Sequence, residues 1–415
     1  MRLNWKKIFF SLITLMLSLI LVGCTGSDNS SKAPKEKSDQ VIKGKLKLWV
    51  DPNYVAVYTK IAHDFENKYP EVKITIQASN SDQMKRMVSK DPSKAADVFM
   101  ISNDQIGSMV NSGLIYPLRD RRVDEIKNNN SHNIVEAITF KNNIYGYPVG
   151  IDTQVLYYDK SKLSPNDVLH WDQLTSKAAV SLGFTSMNGS YTLTPLFMSN
   201  GDQLFGEKGD NVKETNFNNE KGIEVLRWVA QQKTNQRVVD ATTGTAQANL
   251  ENEKIQAWVA DSSLKSSFQK QLNNNLSATV LPMVKLSDKE LVFKSFLHVK
   301  LFGVNQQTKL PQAAMTLAEF LTSKESQLLT FKDQGLTPAN QQLQKDPTIL
   351  NDSVAKSVIK MSDQEHAAVL PKLRQLSAFW PEMDQLLNDT YNGKVQESDY
   401  QNQLDELVNK ISTIK

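Results

Sequence analysis

The sequence predicts an α/β protein of two lobes, each a mainly parallel sheet flanked by helices. Three observations lead there. Strand-like alternation and helix-like spacing succeed one another along the chain, the pattern of repeated βα units. The 415 residues exceed what one hydrophobic core usually serves, so two domains are the default. And residues 144–159 read as a strand that stops, bends and restarts around a lone acid, which suits a chain passing from one domain to another. In that stretch Ile144 follows the turn pair Asn142-Asn143. Pro148 lacks a backbone donor and should break the ladder. Gly150 permits a backbone direction that most residues avoid, which makes it the expected pivot. Asp152 then stands before a second strand, 154–158. A bent strand with a solvated aspartate is the plainer alternative.

The other elements follow in order. Leu46, Leu48 and Val50 alternate over 45–50, a strand. Tyr54, Val57, Tyr58, Ile61, Ala62 and Phe65 recur at helical spacing up to Pro70. Strands are expected over 72–76 and 97–101, a short helix over 84–88, and a helix over 104–112 closed by Gly113. Later strands fall at 180–185, 255–259, 278–283 and 296–305, the last a second crossing between lobes. Ile223, Leu226 and Val229 mark a helix face. Helices are expected over 311–321 and, capped by Ser323, up to Phe331. The turn-like run Leu336-Thr337-Pro338-Ala339-Asn340 is a third crossing, and the remainder is helical. Ligands of open α/β sheets sit off the carboxyl ends of strands, where Asp51 and Asp104 fall.

The N-terminus carries its own signal. Arg2, Lys6 and Lys7 precede an apolar run, 8–22, too short for a comfortable membrane span. The run ends in Leu21-Val22-Gly23-Cys24, similar to the lipobox of bacterial lipoproteins, where the thiol is lipidated after cleavage. Cys24 is the only cysteine, so no disulfide framework or Cys-based zinc site exists. Residues 25–43 lack periodicity and read as a flexible tether reaching roughly 25 Å. Lys+Arg 48 against Asp+Glu 45 leaves little net charge, which argues against nucleic acid as partner. The five histidines are scattered, and P-loop, GxSxG, GxGxxG and HExxH patterns are absent.

Several motifs, taken in order, resemble one family. Lys45-Leu46-Lys47-Leu48-Trp49-Val50 with its following helix, and Asp97-Val98-Phe99-Met100 with Asn111-Ser112-Gly113-Leu114, resemble the first domain of bacterial extracellular solute-binding proteins. Tyr145-Gly146-Tyr147-Pro148 with Leu156-Tyr157-Tyr158-Asp159-Lys160 looks like their first hinge. Leu376-Ser377-Ala378-Phe379-Trp380 is similar to a segment of the maltose/maltodextrin-binding branch. The resemblance implies a periplasmic-binding-protein-like fold of two lobes joined by three crossings. It implies a lipid-anchored receptor, on the outer face of the cytoplasmic membrane, that closes on a sugar and delivers it to an ABC permease. A monomer without cofactor or metal is expected. The expected organisation is a signal peptide (1–23), lipidated cysteine and tether (24–44), an N-terminal lobe (45–150 and 302–336), a C-terminal lobe (153–297 and 341–415) and hinge segments at 150–153, 298–301 and 337–340.

Carried over residue by residue, Asp104 and Asp152 match acids that bind sugar hydroxyls, Tyr191 a tyrosine of the second lobe, and Trp380 a tryptophan that stacks on a glucose ring. Asp51 lies in the first ligand loop. Two further stacking tryptophans of the family fall at Ile101 and Leu264, and an arginine at Gln105, which puts maltodextrin itself in question. Other readings stay open. Ser102-Asn103-Asp104-Gln105 fits a capping box. Trp380 lies at helical spacing from Leu373, Leu376 and Met383, as a core residue would, unless Phe379 takes the buried position. Tyr191 also suits a helix start. Trp49, Trp171, Trp228 and Trp258 are assigned to packing. Two rival functions remain: a glycoside hydrolase using Asp104 and Asp152, and a ferric-ion receptor using Tyr157-Tyr158, whose side chains a strand would point to opposite faces.

Overall fold

A computed structural model describes residues 42–185 and 189–414. The expected signal peptide, Cys24 and nearly all of the tether lie outside them. β1 (Gly44–Val50) buries Leu46, Leu48 and Val50 and turns Lys45 and Lys47 to solvent. It runs parallel to β2 (Val72–Ala78) and β3 (Val98–Ser102). Between β1 and β2, α1 (Val55–Lys68) buries Val57, Tyr58, Ile61 and Phe65 on one stripe. α2 (Ile106–Asn111) follows β3, and Gly113, at φ +66°, turns the chain after it. α3 (His132–Ala137) leads into a hairpin of Thr139–Phe140 with Asn143–Ile144. Its turn residues are Lys141 and Asn142, both at positive φ, one position earlier than the expected pair.

β4 (Tyr147–Asp152) and β5 (Gln154–Asp159) are buried throughout, with Thr153 alone between them. β6 (Val180–Ser181), α4 (Gly189–Ser199), β7 (Val238–Val239), β8 (Ala257–Asp261) and β9 (Leu276–Thr279) follow. β10 (His298–Val304), β11 (Thr337–Pro338), α5 (Ser353–Met361) and α6 (Leu376–Tyr391) complete the elements that matter for the site. Among the described residues one sheet has the order β11-β4-β10-β3-β1-β2 and the other β9-β5-β8-β6-β7. The chain passes between them at Thr153, returns at Leu297, and leaves again after Pro338 for α5, which packs on β9 and β5.

The α/β architecture matches the expectation, but both sheets are mixed rather than mainly parallel. β10 is antiparallel to β3 and β4, and β5 is antiparallel to β8 and β9. The reason lies in the passages. β1 and β3 run toward the other lobe, whereas β10 arrives from it and must run the opposite way. The stretch expected as one strand over 296–305 divides at Leu297. Ser295–Phe296 pairs with Ala367–Ala368, and His298 to Leu301, expected as a hinge, are members of the β10 ladder.

Pro148 does not break its strand. The register against β10 shifts by one residue between Pro148 and Gly150, so Val149 forms a bulge that absorbs the missing donor. Gly150 is not at positive φ. It is a glycine because Leu336 lies against it: a Cβ there would stand 2.4 Å from the Leu336 Cγ. No described helix is long and apolar enough to cross a membrane.

Candidate functional site

Acids collect where the two sheets face each other. β1 ends in Asp51, which opens the 3₁₀ turn Pro52–Tyr54. Lys300, on β10, donates from Nζ to Asp51 Oδ2 at 3.2 Å and lies 5.7 Å from the centre of the Tyr54 ring. β3 ends in the turn Asn103–Gln105 that carries Asp104. The Asn103 side chain ties this turn to the second passage, donating to Leu297 O at 3.2 Å and accepting from Val299 N at 2.9 Å. The capping box does not form, because the Ser102 hydroxyl makes no cap. Asp104 Oδ1 instead lies 4.0 Å from His298 Nε2, outside hydrogen-bond range.

Asp152 is the last residue of β4 and Asp261 the last of β8. The Ser262 hydroxyl donates to Asp152, and the Ser263 amide donates to Asp261 Oδ1 at 3.0 Å. Burial pushes the Asp152 carboxyl well above the usual carboxylate range, and the negative charge of Asp261 adds to it. Ser262 and Lys300 act the other way.

The opposite wall is aromatic. Tyr191 sits in the first turn of α4, whose start is held by Asp384 of α6: Ser190 N donates to Asp384 Oδ1 at 2.8 Å. Trp380 lies one helical turn before Asp384, so the two helices bring the rings together at 6.0 Å. Phe296 stands 5.4 Å from Tyr191 and 5.8 Å from Trp380. Phe379 takes the buried position, edge-on to Phe205 and Phe217, and leaves Trp380 half-buried. Trp49, Trp171, Trp228 and Trp258 are buried, as assigned. Burial holds the Tyr191 phenol well above its usual value, and the nearby Asp261, Asp152 and Asp104 charges push the same way. Three of these acids therefore act on one phenol.

The fold thus brings Asp51, Asp104, Asp152, Tyr191 and Trp380 into one neighbourhood. Sequence reasoning missed Asp261, Lys300, His298 and Tyr54. Asp261 had a signal, since it ends a strand as Asp51 follows one. Ile101 is fully buried in β3, and Leu264 is half-buried against the core, so neither offers a ring. Tyr157 and Tyr158 do not form a ligand pair: Tyr157 donates its hydroxyl to Ser262 O at 3.0 Å and stacks on Phe268 at 4.3 Å.

A groove elsewhere is lined by Glu136, Asp210, Leu297, Leu370 and Lys372 among others, and by none of Asp51, Asp104, Asp152, Tyr191 and Trp380. Lys372 is 3% exposed. It lies in the segment leading to α6 and reaches the C-terminal turn of α3, donating from Nζ to Glu136 O at 3.2 Å. Burial pushes its amine down to about 8, against the pull of Glu136 and Asp210.

Comparison with known proteins agrees with this fold. Residues 60–356 match the bacterial extracellular solute-binding protein family, and the chain belongs to it. The maltodextrin-binding protein MalE1 of L. casei BL23, solved without ligand, is 37% identical, with a TM-score of 0.86 over 90% of this chain and 100% of that one. The maltooligosaccharide ABC transporter solute-binding lipoprotein of Streptococcus pneumoniae R6 is 23% identical over 91% of this chain and 90% of its own. The galactooligosaccharide-binding protein of Bacillus subtilis 168 is 21% identical over 94% and 93%. The chain is accordingly a binding protein, not an enzyme, and the glycosidase reading of Asp104 and Asp152 is set aside.

Proposed function

We propose that this solute-binding protein is the lipid-anchored sugar receptor of an ABC importer, taking an oligosaccharide of the maltodextrin type and delivering it to a permease in the cytoplasmic membrane. The observation that carries the reading is the Tyr191 phenol, with Trp380 beside it and Asp104, Asp152 and Asp261 before it. Sugar rings present apolar C–H faces and polar rims, so an aromatic platform opposite carboxylate acceptors is the matching wall chemistry. Trp380 takes a ring face. Asp104 and Asp152 accept from hydroxyls, Tyr191 donates, and Asp51 is oriented by Lys300. The relatives named for maltodextrin and maltooligosaccharide support the ligand class. The three passages between sheets let the lobes close on the ligand, and Cys24 holds the monomer at the membrane.

Calorimetry with maltodextrins of increasing length, and with galactooligosaccharides alongside, tests the site. Tight binding of a maltodextrin with a fall in radius of gyration is expected. Binding of the galactooligosaccharide alone would move the ligand class, and no sugar binding at all would end the reading. Separately, Cys24→Ala should leave uncleaved precursor or release protein to the medium; unchanged processing and membrane attachment would remove the anchor from the proposal.

A further inference from the structure

We infer that His298 is a positioning residue for Asp104: when a sugar hydroxyl engages the outer oxygen of the Asp104 carboxylate, the His298 imidazole closes on the inner one and fixes its orientation. The inference rests on the sugar-binding reading above and adds a residue to it. The Asp104 side chain is 35% exposed, yet its Oδ1 is closed off from solvent and accepts no hydrogen bond. The exposure therefore lies on the Oδ2 side, which is open to a ligand. Among the described residues, the basic nitrogen within 4.0 Å of Oδ1 is His298 Nε2. An imidazole N–H donates and a carboxylate only accepts, so the two groups are chemically matched. Hydrogen-bond length lies about 1 Å closer.

The backbone keeps the two groups together. Asn103, buried and next to Asp104, donates to Leu297 O and accepts from Val299 N, so it brackets His298 from both sides. The turn that carries Asp104 and the start of β10 are thereby locked to each other, and the remaining gap is left to rotation of the imidazole. His298 is also the ladder partner of Asp152, and its ring stands edge-on to Tyr191 with centres 6.4 Å apart. It therefore lies among three of the residues assigned to the sugar. The empty and occupied states differ in what the bond is worth. With Oδ2 in water, solvent carries most of the stabilisation of the carboxylate. A sugar over Oδ2 removes that water. An unpartnered buried oxygen on the same group then costs more, and a hydrogen bond to it gains more. The imidazole contact is thus favoured by ligand binding rather than by the empty state.

Calorimetry with maltotriose, or with a galactooligosaccharide if that alone binds, tests the coupling. His298→Leu should weaken binding by roughly tenfold, the lower end for a hydrogen bond to a charged group, with a melting temperature like that of the parent. His298→Gln, which keeps a donor at similar reach, should recover most of the loss. In an Asp104→Ala background, His298→Leu should change the affinity by less than about twofold, because nothing is left to position. In NMR spectra of the parent, a His298 ring N–H proton protected from exchange with water should appear on saturation with the sugar, and should stay absent in Asp104→Ala. An equal loss in both backgrounds, or no loss in the parent background, overturns the inference and leaves the sugar reading intact. So does a saturated parent without the protected proton, which also decides the matter if His298→Leu fails to fold. If neither sugar binds the parent, the sugar reading falls and the inference with it.

Discussion

Asp152 and Lys372 are both buried where one half of the molecule meets the other, and burial pushes both toward their neutral forms, the acid upward and the amine downward. Their partners differ. Asp152 meets a side chain, the Ser262 hydroxyl, and the charges of Asp261 and Lys300 act on it in opposite directions. Lys372 meets the backbone carbonyl of Glu136, and its own carbonyl presses on α2, where a Cβ on Gly107 would lie 2.0 Å from it. Hydroxyls of a ligand can replace side-chain partners at little cost. Nothing replaces a backbone carbonyl held at a helix end. If the proposed sugar site is right, the difference separates contacts that a ligand exchanges from a joint that keeps them, although both bury a titratable group.

The comparison is broken most forcefully at the joint. Gly107→Ala sets a methyl group against the Lys372 carbonyl and should cost about 3 kcal/mol of stability, the upper part of the range for overpacking, measured by urea unfolding. If the variant is as stable as the parent, the 366–375 segment yields freely and the joint is not rigid. On the site side, Trp380→Ala should fold normally and lose about 100 Å² of ring contact. At roughly 25 cal/mol per Å² that is about 2.5 kcal/mol, or on the order of sixtyfold in Kd by calorimetry. Unfolding instead would return Trp380 to the core.

Lys372→Met tests the sign of the buried charge. The folded amine titrates at about 8 and the unfolded one at 10.5. A lowered value means that the folded state favours the neutral form. The penalty is therefore full below about pH 8 and fades as the pH rises toward 10.5. The parent should gain stability across that window, whereas Lys372→Met should not, and the variant should be the more stable by about 2 kcal/mol at pH 7. A parent whose melting temperature falls across the same window would contradict this. The smallest effect is at the cleft acid. Asp152→Asn keeps an acceptor and the shape, so it should weaken sugar binding by about 1 kcal/mol, less than the 1.5–3 kcal/mol expected of Asp152→Ala. Equal losses would show that charge, not shape, carries the contact.

Local elements were legible before any tertiary contact was known. The helix Pro311–Leu321 and the Ser323 cap of the next helix stand where periodicity and capping chemistry put them. So do the alternation of β1 and the placement of Asp51 and Asp104 beyond strand ends. These depend on residues a few positions apart, and the spacing of side chains on a strand or helix is written directly in the sequence. Asp261 escaped because its strand was expected to end at Val259 and runs two residues further. His298 and Lys300 escaped because a hinge was expected where β10 continues the sheet. Three features were settled only by the tertiary structure. They are the mixed sheets, the approach of Leu336 that makes Gly150 a glycine, and the meeting of Asp152 with Ser262, 110 residues away. Each depends on how two sheets, joined by three passages, come to face one another. No periodicity along the chain encodes that approach, because its distances lie between residues that the sequence keeps far apart.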